Sequence, residues 1–71
     1  MIMMYKNGRK EFIVNFSNKS VSSNDPNIQK LVKSFIDNPY SLSKDVKKID
    51  LFQATNQFAM TNGYYPVLRR N

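Results

Sequence analysis

The chain has no cysteine and no histidine. Without thiols there is no disulfide to staple the fold. Without either residue the usual transition-metal ligands, the cysteine nucleophile and the commonest general base are missing. Carboxylates, Lys, Tyr and Ser are the remaining reactive groups. Acids are scarce as well: five Asp and Glu stand against eleven Lys and Arg, for a net charge of +6. An excess of that size in 71 residues favours polyanionic partners, either nucleic acid (DNA or RNA) or an acidic protein surface. The two glycines each stand alone in Asn-Gly, at Gly8 and Gly63, so neither belongs to a phosphate-cradling loop.

Long apolar runs are also lacking, and no segment approaches the length of a membrane span. The opening Met-Ile-Met-Met-Tyr has no basic region before it and is cut short by Lys6, unlike a secretory signal. The expectation is a cytoplasmic protein. Its length suits one small domain, with little room for a buried cleft. The carboxylates Glu11, Asp25, Asp37, Asp45 and Asp50 form no acid–base pair, because Asp25 and Asp37 fit helix ends and Asp45 and Asp50 are badly spaced for one helical face. Neither enzyme, metal site nor cofactor is expected.

What is present begins with a helix over 25–37. Ile28, Leu31, Val32, Phe35 and Ile36 recur at helical spacing on one stripe, with Asn27, Gln29, Lys30, Lys33 and Ser34 on the other side. Asp25 is a fit N-cap and Pro26 a fit first residue, while Asp37-Asn38-Pro39 marks the end, with Asn38 suited to a left-handed cap. A helix of this size does not stand alone, since backbone ordering of about 1–2 kcal/mol per residue outweighs the burial of five side chains. It needs a surface, and residues 1–16 supply one as a β-hairpin turning at Asn7-Gly8. A two-residue turn there sets Lys6 against Arg9 and Met3 against Phe12, and gathers Met1, Met3, Tyr5, Phe12, Val14 and Phe16 on one apolar face.

Ser17 and the Ser- and Asn-rich residues after it read as a loop. Residues 44–61 favour a second helix, with Ser43 as N-cap and Gly63 just past the end, over a pair of strands at 49–54 and 57–61. Pro66 confines the aromatic and β-branched stretch 64–68 to an edge strand or an extended tail. The expected architecture is α+β: an N-terminal hairpin packed on an amphipathic helix, a second helical segment and a short C-terminal extended piece.

Three cation clusters are candidate binding sites. Lys6, Arg9 and Lys10 surround the hairpin tip, where a β-ribbon can lie along a phosphate backbone. Lys44, Lys47 and Lys48 cluster at the start of the second helix, where cations oppose the helix dipole unless an anion is bound. Tyr64 and Tyr65 precede Arg69 and Arg70, the pairing of aromatic and guanidinium groups used to stack bases and clamp phosphates. The 25–37 helix is read as scaffold for these. The leading expectation is a small non-enzymatic module that binds nucleic acid. The alternative is an accessory or inhibitor factor acting on a larger nucleic-acid-handling enzyme; the Asn, Lys, Ser and Ile content suits an AT-rich genome, as of a phage or mobile element. A homodimer through the mixed hairpin face or a strand edge is a third arrangement.

Overall fold

In the computed structural model, residues 1–38 and 51–70 are described, the last three as backbone. The hairpin forms from β1 (Ile2–Asn7) and β2 (Lys10–Asn15), and its turn differs from the expected one. Gly8 and Arg9 are the turn residues: Asn7 pairs with Lys10, Lys6 with Glu11, Tyr5 with Phe12 and Met3 with Val14. Gly8 takes φ 61° while Arg9 does not enter the positive range, the pattern of a turn with glycine at its first central position. The physical gain is legible. This register replaces a Lys6–Arg9 like-charge facing with Lys6 beside Glu11, and it lets the Tyr5 and Phe12 rings stack at 4.8 Å. The partner of each residue slides by two, so the side chains keep their faces. Met3, Tyr5, Phe12 and Val14 are buried as expected, with Met1 and Phe16 packed at the margin.

The presumed loop after residue 17 contains a third strand, β3 (Ser20–Ser23), paired antiparallel with β2. Ser and Asn residues carry turn propensity, but an open β2 edge rewards any polar segment that can offer backbone groups to it. Only Val21, opposite Val14, adds to the core. Ser23 then fastens the exit: its hydroxyl donates to the Glu11 carbonyl (2.6 Å) and accepts from the Asp25 amide (3.0 Å). Asn24 bridges back to the hairpin tip, donating to the Arg9 carbonyl (2.8 Å) and accepting from the Glu11 amide (3.0 Å).

Helix α1 (Pro26–Asp37) begins as the sequence predicts, with the Asp25 carboxylate accepting from the Asn27 amide at 3.0 Å and Pro26 in the first turn. Its end differs. Asn38 has φ −147°, outside the left-handed region, and its amide instead donates to the Ser34 and Phe35 carbonyls. Val32, Phe35 and Ile36 are buried and Ile28 is half-buried, while Leu31 at the edge of the stripe stays 45% exposed.

Helix α2 (Leu51–Thr61) decides against the pair of strands over its span. It ends in a left-handed cap at Gly63, φ 84°, in which the Tyr64 amide donates to the Ala59 carbonyl (2.8 Å) and the Gly63 amide to the Met60 carbonyl (3.1 Å). That cap turns the chain so that the Tyr64 ring enters the core against Phe12. The chain then forms β4 (Tyr65–Arg70), antiparallel to β1, completing a sheet of order β3-β2-β1-β4. Pro66 thus lies on an edge strand, where a missing amide is tolerated. Both helices cover one face of the sheet, joined by the Phe35–Phe58 stack at 4.4 Å.

Candidate nucleic-acid interface

Antiparallel pairing places the functional candidates at two ends of the sheet. At one end lies the hairpin tip with Lys6, Arg9 and Lys10, all exposed. Lys10 is engaged, its ammonium 3.4 Å from the Asp25 carboxylate. Lys6 and Arg9 have no ion pair among the described residues. The tip is therefore less purely cationic than its sequence suggests, with Asp25 against Lys10 and Glu11 across the ladder from Lys6. Burial alone would raise the Asp25 carboxyl; the Asn27 amide, Lys10 and the Ile28 amide together outweigh it and hold the group below its ordinary value.

The other end holds a feature that sequence reasoning missed. The turn between β2 and β3 lies beside α1, and the two enclose an open groove of about 340 Å³. Lys19 from the turn and Lys30 and Lys33 from the helix line it, with Asn18, Ser20, Val21 and Gln29 between them. Lys33 is held in place, its ammonium donating to the Lys19 carbonyl (2.9 Å) and to Asp37 (3.0 Å). Lys19 and Lys30 have no ion pair among the described residues. Lys19 also adopts φ 58°, a left-handed conformation that a lysine enters at a cost of about 1–2 kcal/mol. Lys30 and Lys33 are three apart on the polar side of α1, which is readable in the sequence. The strand that folds Lys19 back beside them is not.

The aromatic-cationic C-terminal cluster separates. Tyr64 is 2% exposed, so its ring has no free face for a ligand, and its buried hydroxyl has no hydrogen-bond partner among the described residues. Burial, and secondarily the Asp25 charge, pushes that hydroxyl's pKa up against an opposing effect of Lys10. Tyr65 is 62% exposed and sits next to Lys6 in the ladder, at the tip end. Arg69 and Arg70 face Met3 and Ile2 at the opposite end of the strand, so they do not share a site with Tyr65. Lys44, Lys47 and Lys48 lie outside the described residues.

Among the described residues, no three Asp or Glu side chains gather to hold a metal, and no helix is long and apolar enough to cross a membrane. Comparison of the chain with protein-family models, curated proteins and solved structures finds no match in any of the three.

Proposed function

We propose that this protein is a small non-enzymatic module that binds nucleic acid through its basic surface, with the groove between α1 and the β2–β3 turn as the principal phosphate contact. The supporting observation is the convergence of Lys19, Lys30 and Lys33 from two elements onto one open groove whose remaining lining is largely amide and hydroxyl side chains. Ammonium groups at an open groove suit phosphodiester oxygens, a contact that positions a nucleic acid without reading its sequence. The tip cations Lys6 and Arg9 extend the basic surface to the other end of the sheet. A gel-shift titration at low and moderate salt tests this: binding at low salt that weakens steeply with added salt is expected, and no binding at low salt overturns it.

A second reading, a factor that occupies an acidic site on a larger enzyme, is favoured by Leu31, Met60 and Val67, large apolar side chains left about half exposed. It predicts a saturable complex with one protein partner and only weak binding to nucleic acid.

A further inference from the structure

We infer that the outer face of the sheet near the hairpin tip seats an unpaired nucleobase on the ring of Tyr65, with the adjoining phosphate on Lys6, so that the preferred ligand is single-stranded nucleic acid. This rests on the nucleic-acid reading above and specifies its substrate class. Three tyrosines lie among the described residues, and the fold treats them differently. Tyr5 and Tyr64 are buried, whereas Tyr65 is exposed at the start of β4.

A register irregularity puts it there. Met4 pairs with Leu68 but Tyr5 with Pro66, so Val67 is an extra residue on β4. Continued without that bulge, the pairing would align Tyr65 with Asn7, which shares its face with the buried Met3 and Tyr5. The one-residue shift sets Tyr65 opposite Lys6 and moves it to the outer face. Directly opposed residues on an antiparallel ladder have Cβ atoms about 5 Å apart, close enough for one nucleotide to span ring and ammonium together.

The surroundings suit a base. Met4 and Ile13 are half-buried on the same outer face, one outward-facing step along the ladder from Lys6, and give a low apolar floor near the ring. Arg9, exposed and without an ion pair among the described residues, stands at the adjacent turn as a second phosphate contact. Glu11 lies across Lys6 on the side away from Tyr65, the one acid in that row. A duplex keeps its bases stacked inside and offers the ring nothing; a single strand offers a base face at every nucleotide.

The test is an anisotropy titration of a labelled oligodeoxythymidylate and of a duplex of equal length, with circular dichroism confirming that each variant is folded. The parent protein is expected to bind the single strand more tightly. Tyr65→Ala should weaken single-strand binding on the order of tenfold and leave duplex binding unchanged, Tyr65→Phe should restore it to within about twofold, and Glu11→Gln should strengthen it. Equal affinity for the two forms overturns the proposal while leaving nucleic-acid binding intact. So does a Tyr65→Ala protein that binds like the parent, which would give Tyr65 to a protein surface, or a Tyr65→Phe protein as weak as Tyr65→Ala, which would replace stacking with a hydroxyl contact. Failure of the parent to bind either form overturns both readings.

Discussion

The two faces of the sheet are made from the same strands and carry opposite demands. On the inner face Met3, Tyr5, Phe12 and Val14 meet Val32, Phe35, Ile36, Ala54, Ala59 and Tyr64 in one core. On the outer face Ile2, Met4 and Ile13 are only half-buried, and Lys6 and Tyr65 are exposed. Alternation along each strand produces the division, and the bulge at Val67 adjusts it at one point by sending Tyr65 outward. Stability therefore resides mainly on one side of the sheet. The other side is free to carry charge and an aromatic ring at little cost to the fold.

Substitutions that cross this division give the largest contrast. Phe12→Ala on the inner face removes a ring packed between Tyr5 and Tyr64 and is expected to cost about 3–5 kcal/mol in chemical denaturation. Its neighbour Ile13→Ala on the outer face should cost only about 1 kcal/mol. Equal losses would mean that the outer face is packed too.

Within the inner face, the two buried tyrosines should respond with opposite signs. The Tyr5 hydroxyl donates to the Asn56 side chain, so Tyr5→Phe strands a partner and should cost about 1 kcal/mol. The Tyr64 hydroxyl has no partner among the described residues, so Tyr64→Phe should stabilise by about 1 kcal/mol. Burial pushes both hydroxyls above the usual tyrosine range. Ionisation of these groups thus leaves stability unchanged below about pH 10, and stability falls as pH rises from there through the elevated folded-state values. Ultraviolet titration should find both tyrosines un-ionised until the fold gives way.

At the groove, stability and binding should part company. Lys19→Gly relieves a left-handed lysine and should stabilise by about 1 kcal/mol while weakening nucleic-acid binding. A variant that is both more stable and an undiminished binder would remove Lys19 from the site. The smallest effect is expected at Asp25. Its carboxyl lies below its ordinary value in the fold, so its stabilisation is present above the usual carboxylate range and is lost as pH falls through the depressed value. Asp25→Asn keeps a good N-cap and should flatten that acid limb in thermal melts across pH.

Much of this fold is legible in the residues themselves. The Asp25–Pro26 start of α1, the inward parity of the hairpin and the Gly63 cap follow from local chemistry that tertiary context does not override. The turn at Gly8 and Arg9 was less legible, because Asn7-Gly8 suits one hairpin turn while cross-strand charge and ring stacking select another. Strand β3 was illegible for a different reason: its sequence, Ser-Val-Ser-Ser, has almost no apolar alternation, and it forms because β2 has an edge to fill. The candidate site inherits that gap. Lys6 and Arg9 remain at the surface where local reading puts them, but Tyr65 reaches it through the β4 bulge, and the groove exists only once β3 brings Lys19 to α1.

Whether that groove holds phosphate is measured most directly by the salt dependence of binding. Affinity for a labelled oligonucleotide should fall linearly with salt on logarithmic axes, and Lys30→Gln combined with Lys33→Gln should lower both the affinity and the slope, the latter by about two. A slope and affinity identical to the parent's in the folded double variant would contradict it.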